Sequence, residues 1–289
     1  MDILMGLLAA VSWGVTDFLV GVNARVLGVR RSVFLGQLIG LFLMSVIVFL
    51  SASQFGRLLS APPGALLFGL AAAISTVVGA LFLAKAFAVG RTSIVAPLVT
   101  TYGVFTTFLS WMTGEYLSVW QLLGIVTCFF GVLLVTSKVD GGSGASKIKS
   151  GMSVIYSLLA AVCYGASFWV QGRFSLPAIG PINMLWLSYC VGVIFLWRET
   201  LDLFKSKISA DFKVLGLLCG SSLSNLSGFA AFSLGATNGA VSVVTMISTL
   251  SGGIASVLGC IFYRDKLSML QIVGIFFVLL GAVFIHFYG

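Results

Sequence analysis

Two ionisable side chains, Asp17 and Lys85, fall inside long apolar stretches of the chain. A charge at membrane depth is costly, so each needs a partner or a task. Asp17 could take up a cation or a proton, and Lys85 could hold an anionic group of a solute. Equally, the two could form a buried ion pair that locks their helices, or Lys85 could stretch its amine to the interface. Asp17 lies about two thirds of the way along the first stretch, and Lys85 lies late in the third, which runs in the same direction. A lysine side chain leans back toward the start of its helix, which brings Lys85 toward the depth of Asp17.

Hydroxyl, amide and aromatic groups recur at helical spacing around these two. Ser75 and Thr76 stand four and three residues before Gly79, and Ser224 and Asn225 stand at the same distances before Gly228. Such groups bind a polar solute or act as hydrogen-bonded glue between helices. Trp13 is one turn from Asp17, and Tyr164 and Phe168 form the counterpart pair. They could line a pocket for an organic solute or lie in an aromatic belt. Pro97 interrupts one stretch, followed by Thr100, Thr101 and Tyr102, and Ser248, Thr249 and Leu250 occupy the related place later in the chain. Freed carbonyls and amides at paired weak points can face a cavity, or the break is a kink relieved by neighbouring helices. The candidate set for substrate binding or coupling is therefore Trp13, Asp17, Ser75, Lys85, Pro97, Thr101, Tyr102, Tyr164, Phe168, Asn225 and Thr249.

Other chemistries find no residues. There is no GxxxxGK[ST] loop for nucleotide phosphates, no HExxH, no GxSxG and no carboxylate pair at membrane depth. A TVGYG-type filter is missing as well. Five cysteines sit singly in apolar stretches, and His286 is the only histidine. No catalytic residue, metal site or cofactor is expected, and the chain reads as a non-enzyme.

Ten stretches are long and apolar enough to hold these groups in a bilayer, at roughly 3–24, 32–52, 64–88, 92–112, 118–137, 151–172, 181–201, 213–236, 240–262 and 267–288. Hydrophobic residues make up 59% of the chain and charged residues only 8%, too few charges for a water-facing surface. The first stretch lacks a basic leader and exceeds the length of a signal-peptide core, so a spanning helix is expected there. The net charge of +8 is read as loop charge that sets orientation, not as a nucleic-acid surface.

The stretches form two copies about 150 residues apart. Leu7–Gly14 returns as Leu158–Gly165, and the run Leu117-Ser118 with Gln121, Gly124 and Gly131 returns as Leu267-Ser268 with Gln271, Gly274 and Gly281. The glycines seven apart mark a packing seam that closes the halves on each other or forms a dimer contact. Gly36 with Gly40, Gly216 with Gly220, and Gly235 with Gly239 are further close-approach pairs. The Gly/Ser-rich segment 138–150 reads as a linker between a first repeat, 1–137, and a second, 151–289. Each repeat holds five helices. An odd number makes the second copy enter from the opposite face, which gives an all-α integral membrane protein of ten transmembrane helices in two inverted repeats.

Leu8, Trp13 and Gly14, then Pro97, then Gly114-Glu115, Leu117-Ser118, Gln121, Gly124 and Gly131 resemble the EamA family of the drug/metabolite transporter superfamily. The resemblance covers essentially the whole chain. It implies a ten-helix fold of two inverted halves that moves small organic metabolites such as amino acids, often outward. It also implies a central cavity lined by helices one, three, four, six, eight and nine. The second copy departs from the pattern: Arg264-Asp265-Lys266 replaces Gly-Glu, and Ile247 stands where proline is usual.

Orientation is contested. Loops on the side of the termini carry only Arg57 and Arg173, whereas the opposite loops carry thirteen basic residues, from Arg25, Arg30 and Arg31 to Arg264 and Lys266. The positive-inside rule places both termini outside, while the resemblance implies that they are inside. The leading expectation is a secondary transporter of the plasma membrane, working by alternating access with protons or cations as coupling ions, as a monomer or homodimer. A cation channel or inorganic-ion carrier is the alternative, weakened by the scarcity of oxygen ligands at depth. A scaffold or receptor would need a large loop, and none is present.

Overall fold

The computed structural model describes residues 2–114, 116–137, 144–199, 212–238, 244 and 247–286. In lipid, backbone groups must be satisfied within their own segment, which leaves the helix as the natural solution for apolar stretches of this length. Every regular element among the described residues is helical. They are α1 (Asp2–Leu27), α2 (Val29–Leu50), a short α3 (Ala52–Leu59), α4 (Pro63–Val89), α5 (Thr92–Val99) and α6 (Tyr102–Met112). Then come α7 (Val119–Ser137), α8 (Gly144–Val170), a π turn (Gln171–Ser175), α9 (Leu176–Phe195), α10 (Phe212–Asn238), α11 (Ser251–Tyr263) and α12 (Met269–His286).

Among the described residues, seven helical segments are long and apolar enough to cross a membrane, joined by the shorter apolar helices Ser251–Tyr263 and Met269–Ile285. One of the seven, Lys149–Phe195, contains a reversal. Gly180 takes φ 76°, which a side chain rarely tolerates, and Pro181 follows it. Ser175 donates to the Ala65 carbonyl, while Met184 and Leu187 lie against Gly69, so the chain turns back along α4 at this point. Three details differ from the sequence expectation. The end of the expected linker is helical from Gly144, α3 fills the expected loop before Pro63, and the π turn replaces a loop at 172–177. The remainder of the linker (138–143), the segment 200–211 and most of 239–246, including Gly239, lie outside the described residues.

Contacts between the halves come in exchanged pairs. Gly14 packs against Ile254 and the Ser251 carbonyl, and Gly165 packs in the same way against Phe105 and the Tyr102 carbonyl. Gly228 lies under Trp13, and Gly79 lies under Tyr164. Gly40 meets the Tyr189 ring while Gly192 meets Gln37. Swapping the repeats turns each contact into its partner, the signature of a two-fold relation between inverted copies.

The glycine seam is internal. A Cβ on Gly124 would lie 2.7 Å from the Gly281 oxygen, and one on Gly281 would lie 2.6 Å from the Gly124 oxygen. Gly131 and Gly274 repeat this relation at 2.7 and 2.9 Å, and the Cys128 thiol donates to the Val278 carbonyl at 3.3 Å. The backbones of α7 and α12 therefore touch, so these glycines join the two halves of one chain. In the other expected pairs only one described glycine is packed: Gly36 and Gly216 have open space, whereas Gly40, Gly220 and Gly235 meet Tyr189, Leu19 and Met5.

Candidate functional site

Asp17 sits half-buried on α1 and makes no hydrogen bond or ion pair with any described residue. Its charge acts on the phenols of Tyr102 and Tyr164. Phe168 joins them, with ring centroids 5.1 Å from Tyr102 and 6.4 Å from Tyr164. One carboxylate from the first repeat thus meets aromatic groups of α6 and α8, where the repeats adjoin. Trp13 lies one turn away on α1, its ring edge-on to Phe229 at 5.3 Å and tilted over Phe232 at 5.7 Å.

The expected pairing of Asp17 with Lys85 does not form. Lys85 is exposed, on the outward stripe of α4 that carries Leu67, Leu70 and Ile74, and lies one turn from the helix end at Val89. Its amine can reach the interface along that face. The rotation of α4 decides this: Leu83, Ala86 and Phe87 take the inward positions.

Several candidate hydroxyls are committed to structure. Ser75 donates to the Cys163 carbonyl at 2.9 Å, which ties α4 to α8. Thr76 and Ser167 share a hydrogen bond of 2.6 Å, and Ser167 donates onward to Ala72. Thr101 donates to the Leu98 carbonyl at 2.7 Å, and Thr249 is buried. Asn225 donates to the Tyr189 hydroxyl at 2.9 Å, which links α10 to α9.

Pro97 explains the break between α5 and α6. It has no N–H for the Ser93 carbonyl one turn back. The Ser256 hydroxyl of the second repeat reaches that carbonyl at 3.0 Å, sharing its proton with the Gly252 carbonyl at 2.8 Å. The second repeat breaks at the matching place, Thr249-Leu250, without a proline. The two breaks touch: a Cβ on Gly252 would lie 2.7 Å from Thr100 Cγ2 and 3.3 Å from Pro97 Cα.

On the face opposite the N-terminus, several contacts bridge the repeats. Arg25 donates to the Phe87 and Gly90 carbonyls at 3.0 and 2.8 Å and lies 4.1 Å over the Tyr263 ring. Arg91 donates to the Lys266 carbonyl at 2.7 Å, and Asp265 accepts from Ser93 Oγ at 2.8 Å at the start of α5. Sequence reasoning counted Arg25 and Arg91 only as loop charge and Asp265 only as a departure from the first repeat's Gly-Glu. The signal available was the alignment of Asp265 with Glu115. On the other face, a cavity of roughly 630 Å³ reaches Phe168. A second cavity of roughly 600 Å³ between α2 and α10 is wholly apolar and touches none of the candidate residues.

No curated protein matches the chain. The model of the EamA-like transporter family matches it twice, over residues 1–137 and 151–287. The duplicated match and the apolar helices lead to one conclusion: this chain belongs to the EamA-like transporter family and is a multi-pass membrane transporter, not an enzyme.

Proposed function

We propose that the chain is a secondary transporter of small organic solutes of amino-acid or metabolite type, working by alternating access. The ten apolar stretches cross the membrane as two inverted sets of five, with residues 138–150 joining them. The central site lies around Asp17, Tyr102, Tyr164 and Phe168, with Trp13 at its side. The observation that carries this reading is the unpartnered half-buried carboxylate of Asp17, where aromatic residues of both repeats converge. A carboxylate left without a counter-ion at such depth has a task in binding a cation, a proton or an ammonium group.

Inverted halves can rock about such a site and expose it to each face in turn. The Arg25, Arg91 and Asp265 contacts support a conformation closed on the linker face. The loop charges support that face as cytoplasmic, in the plasma membrane. A C-terminal reporter active only in the cytoplasm is then silent; an active one reverses the orientation.

The test of the site is uptake of radiolabelled amino acids by proteoliposomes across a pH series. Asp17→Asn should abolish the pH dependence of net uptake and leave solute exchange intact. An unchanged pH profile in the variant removes Asp17 from the coupling step.

A further inference from the structure

One carboxylate joins the end of α11 to the start of α5. Asp265 accepts from Ser93 Oγ at 2.8 Å and from the Ser93 N–H at 3.3 Å. Ser93 is the second residue of α5, so its N–H is one of those that a helix start leaves unpaired. No capping hydrogen bond comes from the side chain of the helix's own N-cap residue, Arg91. Asp265, from the second repeat, thus caps a helix of the first, and its charge has the favourable sign for that helix end. The chain bends to deliver it. Arg264, which ends α11, takes φ 54° and ψ 38°, the only positive φ outside glycine among the described residues. That conformation is costly for a residue with a side chain. Gly259 permits the close approach: a Cβ there would lie 3.0 Å from the Ser93 nitrogen and 3.2 Å from Asp265 Oδ2.

Arg25 acts at the neighbouring helix end. Its guanidinium donates to the Phe87 and Gly90 carbonyls, where α4 stops, and to Thr92 Oγ1 at 3.2 Å. A cation suits the carbonyl end of a helix. The same group lies over the Tyr263 ring of the second repeat. The corner between α4 and α5 is therefore gripped by a cation that rests on the second repeat and by an anion that belongs to it. The arrangement is one-sided. The register that pairs Asp17 with Phe168 pairs Arg25 with Leu176, and the register that pairs Gly79 with Gly228 pairs Arg91 with Ala240. Tyr263 answers to Thr113. Glu115 keeps a carboxylate opposite Asp265, but neither arginine has a basic counterpart. These positions cannot build the same contact on the face of the termini.

We propose that Asp265, together with Arg25, is a latch that holds the linker face closed while no solute is bound, and that this face opens when Asp265 releases the start of α5. The proposal rests on the alternating-access reading above and adds to it which face is closed at rest and which residues hold it. Asp265 is a positioning residue here.

Cys260 reports on this contact, because its thiol interacts with the Ser93 side chain and with the Asp265 charge. The test is the rate at which a charged, water-soluble maleimide labels Cys260 in the purified full chain, read by peptide mass spectrometry with the other cysteines left in place. Asp265→Asn keeps a capping oxygen and should leave the face closed, so it also isolates the direct effect of the lost charge on the thiol. Asp265→Ala should label Cys260 about fivefold faster than Asp265→Asn does, the shift in opening expected from loss of a helix cap. Arg25→Leu, the residue type at the matching position 176, should label about fivefold faster than the native chain. Equal rates for Asp265→Ala and Asp265→Asn overturn the latch, as does Arg25→Leu at the native rate. So does a rise shared by Cys128, buried in the seam of α7 and α12, because the contacts then hold the fold together and not one face of it. Saturable amino-acid uptake by proteoliposomes with none of these labelling changes removes the latch alone. The expected labelling changes in a protein that carries no solute uphold the latch and remove transport.

Discussion

At the scale of single residues, Asp17 and Pro97 illustrate two ways of placing a costly group in lipid. Asp17 keeps its carboxylate near two phenols but without a hydrogen bond among the described residues, and the proposed function assigns it a bound cation, proton or ammonium group as its partner. Pro97 orphans the Ser93 carbonyl, and that cost is met within the fold by the Ser256 hydroxyl of the other repeat. Both Ser93 and Ser256 are buried. Ser256→Ala should therefore destabilise the protein by about 1–3 kcal/mol, the penalty of an unsatisfied buried acceptor. Pro97→Ala restores an N–H for that carbonyl, so the double variant should lose less than the sum of the single variants in detergent melting. Additive losses contradict the assignment.

At the scale of elements, much was legible in the sequence, and for identifiable reasons. Apolar stretches in lipid have no alternative but helix, so the spans of α1, α2, α4, α7 and α10 fall within a few residues of their expected places. The paired weak points after Pro97 and at Thr249 are observed breaks. The seven-residue glycine spacing of α7 and α12 is an intramolecular seam. Helix rotation was not legible. Position along a stretch put Lys85 level with Asp17, but the buried face of α4 is set by Leu83 and Phe87, and Lys85 follows the opposite stripe. The same limit hid Asn225, whose partner Tyr189 lies on a helix far away in sequence. The π turn also went unread, because Gly172 and Pro177 look like any loop.

At the scale of the whole molecule, duplication with an odd number of helices per copy predicts inversion, and the exchanged contacts of Gly14 with Gly165 and of Gly79 with Gly228 accord with it. The proposed function places its site at the asymmetries. Asp17 corresponds to Phe168, and both belong to the one aromatic group at the junction of the repeats. The linker face is held by Arg25, Arg91 and Asp265, while the other face admits a cavity down to Phe168. The proposed mechanism moves solute by opening one face at a time and needs no continuous pore. The decisive measurement is solute flux and electrical current recorded on the same reconstituted protein, as concentration and voltage are varied. The alternating-access account predicts flux that saturates with an organic solute and no steady conductance when solute is absent. An ohmic current carried by inorganic ions, with no saturable solute flux, would contradict it.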